Sequence, residues 1–167
     1  MDTKFYTDIS GMIDDAIASY EDLLELYKQK KQLLLTRNVK NLSDLDNKIV
    51  EQVEIITKIN NIRDNYCEKH GIATPARITE LIDMAAKDNP EFSESYKRKK
   101  VKIREVADEI ALLNRTNVEL IKHGLIMSDR ILDIIISAAV PQTTNYNKQG
   151  KNIETSGMSI SSIVEDA

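Results

Sequence analysis

Tryptophan is absent from this chain, and its 167 residues include only three prolines, five glycines and two phenylalanines. So few turn formers and aromatics argue against a sandwich or barrel of short strands, and no segment alternates like a strand between turn signals. A lone Cys67 excludes an internal disulfide, and with no secretory pattern in residues 1–10 the chain reads as cytoplasmic. The longest apolar stretch, residues 131–140, is interrupted by Asp133 and is too short to cross a bilayer, so no membrane insertion is expected. A formal net charge of −4 argues against a general nucleic-acid binder.

Catalytic patterns are equally scarce. There is no glycine-rich phosphate loop and no G-x-S-x-G turn. The Glu-x-x-His pairs of di-iron bundles are missing, because Leu120 stands three residues before His123 and Cys67 three before His70. Cys67 and His70 share a helix face, but two ligands without a third make a poor zinc site, and a buried thiol is the simpler reading. Neighbouring carboxylates such as Asp14 and Asp15 point different ways from a helix and read as solvating charge. Enzyme is therefore the weakest class, no cofactor or metal is expected, and binding remains.

What the sequence has in quantity is Leu, Ile, Lys and Glu, the composition of long helices. From Phe92, steps of four and three reach Tyr96, Lys99, Ile103, Val106, Ile110, Leu113, Asn117, Leu120, Gly124, Met127, Ile131, Ile134 and Ala138. A repeat near 3.5 residues sustained over roughly six heptads without proline predicts one helix packed along a seam. At about 1.5 Å per residue it would span roughly 70 Å and would need partners along its flank. Toward its end a second apolar row appears at Ile121, Leu125, Leu132, Ile135 and Ala139, and two readings fit. Neighbouring helices could cover both rows, the favoured reading, or part of the face could await another protein.

The remaining segments follow the same logic. Phe5, Ile9, Met12, Ala16, Tyr20, Leu23, Tyr27 and Leu34 predict a first helix, with Asp2, Asp8, Asp14 and Asp15 early and Lys28, Lys30, Lys31 and Arg37 late, as the helix dipole favours. Ser43 and Asp46 resemble a capping box opening a second helix through Leu45, Ile49, Val53, Ile56, Ile59 and Tyr66, which Gly71 ends. The short connection makes these two an antiparallel hairpin. Thr74 and Pro75 predict the N-cap and first turn of a short helix through Ile78, Leu81, Ile82 and Ala85. The basic run Lys97, Arg98, Lys99, Lys100, Lys102 and Arg104 could hold nucleic acid, but without aromatic platforms it reads as a solvated face opposite the acidic hairpin. The expected fold is all-α: an elongated antiparallel helical bundle or coiled coil with one very long C-terminal helix. Helices are expected at about 3–36, 43–70, 75–87 and 91–140, followed by a flexible polar tail over 141–167. Within that tail Met158, Ile160, Ile163 and Val164 form a small apolar island.

Several residues carry a family resemblance. The run from Leu23 to Leu34, the break and restart at Leu42 and Leu45, and Asn114, Asn117, Leu120 and Ile121 in an N-x-x-N-x-x-L-I arrangement resemble the FlgN-like flagellar export chaperones. Tyr146 with Gly150 is similar to that family's Tyr-x-x-x-Gly element, although Asn145 and Asn147 depart from its usual neighbours. The resemblance implies a non-enzymatic cytoplasmic chaperone that binds hook–filament junction (hook-associated) proteins, prevents premature assembly and delivers them to the export gate. It implies client binding toward the C-terminus, for which Met127, Ile131, Ile134, Ile135, Ala138, Ile160 and Ile163 are the candidates, and gate docking at Tyr146. Without the family, Asn117 at a seam position predicts a buried amide that sets register, with Asn114 one turn earlier as its companion. The alternative function is a structural coiled-coil adaptor that self-associates or pairs with a scaffold.

Overall fold

The computed structural model describes residues 1–139; the expectations for the tail, including Tyr146 and the Ile160–Ile163 island, lie outside the described residues. Four helices, α1 (Thr3–Leu35), α2 (Leu42–Lys69), α3 (Ile78–Asp88) and α4 (Pro90–Ala139), form an all-α bundle, with no strand among the described residues. Compact unit Met1–Leu125 holds α1, α2, α3 and most of α4, and a second unit begins at Ile126.

In the first unit α1 and α2 run antiparallel. Lys30 meets Asp46 at 2.7 Å, Gln52 Nε2 donates to the Ser19 carbonyl at 2.9 Å, and the Tyr66 hydroxyl donates to Asp8 at 2.7 Å, an order that descends along α2 as α1 is retraced. α4 runs parallel to α1. The Tyr96 hydroxyl donates to the Tyr6 carbonyl at 2.7 Å, followed by Lys99 with Asp14 (2.6 Å), Lys102 with Glu21 (2.9 Å) and Lys28 with Glu109 (3.2 Å). These pairs support the structural reading of the basic run, since Lys99 and Lys102 face acids of α1. Flanked on two sides, α1 buries a wider stripe than one seam would, taking in Tyr6, Ile13 and Leu24 beside Phe5, Ile9, Ala16 and Leu23.

The core gathers where the start of α1, the end of α2, α3 and the start of α4 meet. Phe5, Tyr6, Ile9, Ile13, Cys67, Leu81, Ala85 and Tyr96 are buried there together. Most of the few aromatic rings collect at this end: Phe5 stacks on Tyr66, and Phe92 packs against both Tyr6 and Tyr96. Hydroxyls inside this apolar cluster all find acceptors, as buried polar groups must. Tyr6 donates to Asp88 at 2.8 Å, and Ser93 to the Ile82 carbonyl at 3.2 Å. Burial pushes the Cys67 thiol up from its ordinary range, so it stays protonated among apolar neighbours, in line with a structural thiol. A second, smaller cluster of Leu23, Ile49 and Ile56 continues the α1–α2 contact.

Four expectations need correction. The second helix opens without the Ser43 box: a 3₁₀ turn at Val39–Asn41 runs straight into it, Asn41 stands at the cap position, and no side chain caps it. α3 starts at Ile78 rather than at the Thr74–Pro75 signal, because the intervening residues place Ala76 in the core before Arg77, extended, turns into the helix. On α2, Val53 is exposed and Gln52 takes the inward place, its amide reaching the Ser19 carbonyl of the facing helix. Asn114 is exposed, so it forms no register pair with Asn117.

Candidate partner-binding face

α4 changes environment along its length. Its seam residues Tyr96 and Val106 are buried and Phe92, Ile103, Ile110, Leu113 and Leu120 half-buried, in accord with the repeat read from the sequence. Asn117 is buried too, and its Nδ2 donates to the Tyr27 carbonyl of α1 at 3.2 Å, so the amide does tie α4 to α1 in register. From Ile121 onward every described side chain through Ala138 is exposed.

Among the described residues no neighbouring helix covers this end of α4, contrary to the favoured reading. In the second unit Met127, Ile131, Leu132, Ile134, Ile135 and Ile136 are large apolar side chains with between 39% and 68% of their surface open, and Ala138 is exposed with them. At about 100° per residue, Met127, Ile131, Ile134 and Ala138 stand in one row, and Ile135, Leu132 and Ile136 extend it over roughly half the circumference. Asp129, Arg130 and Asp133 fall on the other half. An isolated exposed leucine means little, but a contiguous apolar strip on three successive turns is the kind of surface that binds another protein. Its chemistry suits the apolar side of an amphipathic helix, which would lie along the strip and remove both from water.

Met127, Ile131, Ile134, Ile135 and Ala138 are therefore brought onto one open face. Ile160, Ile163 and Tyr146 lie outside the described residues. Among the signature residues, Asn117 is buried, Leu120 half-buried, and Asn114 and Ile121 exposed. Leu132 and Ile136 belong to the strip but stood outside the site expected from the sequence; the second row that holds Leu132 was visible there, and only solvent exposure distinguishes it from core. Among the described residues no cluster of histidine, cysteine and carboxylate groups is arranged to hold a metal, and no helix is long and apolar enough to cross a membrane.

No curated protein and no solved structure matches the chain. The model of the FlgN protein family matches residues 1–154, which takes in all four helices and the open strip. With a match of that extent, the chain belongs to the FlgN protein family, a family of flagellar export chaperones.

Proposed function

We propose that this chain binds hook–filament junction (hook-associated) proteins through the apolar strip of α4, shields their assembly-prone helices and delivers them to the flagellar type III export gate. The observation that carries this reading is the exposure of Met127, Ile131, Ile134 and Ile135 on successive turns. A client helix laid on the strip gains roughly 25 cal/mol for each Å² of apolar surface removed from water, the same driving force that would otherwise assemble the client prematurely. Binding of this kind needs no catalytic group and no cofactor. Ile160 and Ile163, from the apolar island of the tail, are further candidates for contact with the client, and Tyr146 is the candidate for the export gate, the latter resting on the sequence resemblance.

The test is calorimetric titration of purified junction proteins into the full chain and into an Ile131→Glu/Ile134→Glu variant. Two carboxylates in the strip should weaken client binding by at least about tenfold. Because both positions are open, helix content and melting temperature should stay as they are. An unchanged affinity would count against the strip as the client site. The same exposed surface also fits the second reading, an adaptor that self-associates through α4. Sedimentation separates them: a dimer that the double variant dissolves favours the adaptor, and a monomer that takes up client favours the chaperone.

A further inference from the structure

A cleft of about 450 Å³, open to solvent, lies wholly within Met1–Leu125 where α1, α2, the start of α3 and α4 meet. Its lining combines aliphatic side chains, Ile13, Ile78 and Ile103 among them, with Arg63, Arg77 and Lys100, and no aspartate or glutamate lines it. A purely cationic lining is unexpected in a chain of net charge −4 whose α4 lysines otherwise find acids, as Lys99 does in Asp14 and Lys102 in Glu21. Lys100 donates instead to the Thr79 hydroxyl at 3.1 Å, and the Arg77 side chain has no ion-pair partner among the described residues. Arg63 is already paired with Asp64 at 3.0 Å, so the uncompensated charge rests on Arg77 and Lys100. Both stand where α3 begins; no side chain caps that helix, and Glu80 in its first turn offsets part of its positive dipole end.

We propose that this cleft is a second docking site, sharing no residue with the strip on α4, and that its occupant is an acidic amphipathic segment of a partner protein. Carboxylates of the segment pair with Arg77 and Lys100, and its aliphatic side chains cover Ile78 and Ile103, the half-buried aliphatics of the lining. Charge complementarity selects this occupant. A small anion would leave the aliphatic lining wet, and a wholly apolar segment would cover two cations without pairing them, which costs more than it gains. The open, multi-helix lining suits a peptide better than an enclosed small molecule.

The test uses the full chain and a fluorescein-labelled peptide of repeated Leu-Glu-Glu-Leu, followed by anisotropy at physiological salt. Binding should be saturable, and Arg77→Glu with Lys100→Glu should weaken it by roughly tenfold or more. Arg98→Glu with Arg104→Glu, the same charge change on exposed positions outside the cleft, should change it by less than about twofold. Arg77→Gln with Lys100→Gln, which adds no repulsion, should weaken it severalfold and keeps the test valid if charge reversal lowers helix content. The proposal is overturned if both reversed pairs weaken binding equally. It is overturned as well if a Gly-Glu-Glu-Gly peptide binds as tightly, or if the Leu-Glu-Glu-Leu peptide does not bind saturably.

Discussion

At Asn117 the chain keeps a carboxamide in the seam between α1 and α4 with its oxygen idle. Nδ2 donates to the Tyr27 carbonyl, while the buried Oδ1 has no partner among the described residues. An orphaned buried acceptor costs about 1–3 kcal/mol, more than the single neutral hydrogen bond beside it returns. The Tyr27 carbonyl sits inside α1, where the helix ladder already uses it, so losing the amide would not orphan it. Asn117→Leu should therefore raise stability by about 1 kcal/mol in urea unfolding, in return for a looser register of α4 on α1. A variant less stable than the parent would show that the amide does more than fix register. The seam position of Asn117 was legible in the sequence, because the four-and-three spacing passes through it. The exposure of Asn114 was not, since the two residues differ only in which side of α4 faces α1, and spacing alone leaves that to packing.

Helix ends show which local signals decide. α1 and α2 stop by the same device: the second residue past each cap reaches back to the carbonyl five before it, Asn38 to Leu33 at 2.9 Å and Ile72 to Cys67 at 3.0 Å. The residue between must take a left-handed conformation, which at α2 is Gly71 with φ 76° and at α1 is Arg37 with φ 54°. Glycine announces the second in the sequence, and nothing announces the first. A side chain at positive φ costs about 1 kcal/mol relative to glycine, so Arg37→Gly should stabilise the chain by about that much in thermal unfolding. No gain, or a loss, would mean that the Arg37 side chain contributes an interaction that offsets its backbone cost. The two misplaced starts have separate causes. Ser43 and Pro75 are strong local signals, yet a 3₁₀ turn already leads the chain into α2, and the core draws Ala76 inward before α3 can begin. Long-range packing overrode the local signal at α3, and a competing local turn did so at α2.

On the scale of the whole molecule, the first unit closes where four helices meet, and phenols hold that closure. Burial and the hydrogen bond to Asp88 push Tyr6 from an ordinary 10.0 up to about 12, and the hydrogen bond to Asp8, with burial, pushes Tyr66 up to about 12 as well. Burial raises Tyr96 in the same direction. A group whose folded value lies above its unfolded one binds its proton more tightly in the fold. The stability these tyrosines contribute is thus complete below the unfolded value of 10.0 and is lost as pH rises through about 12. Ionised Tyr6 and Tyr66 would each sit against the carboxylate they had been donating to, so deprotonation turns an attraction into a repulsion at the point where α1 meets α2 and α3. The expected outcome is an alkaline transition in which tyrosinate absorbance and loss of helix rise together within that window. Tyr6→Phe with Tyr66→Phe should lower stability at neutral pH, because two hydrogen bonds between elements are gone, yet flatten its dependence on pH above 10.0. Tyrosines that all ionised near 10.0 with the helices intact would show that these hydroxyls do not hold the helices together.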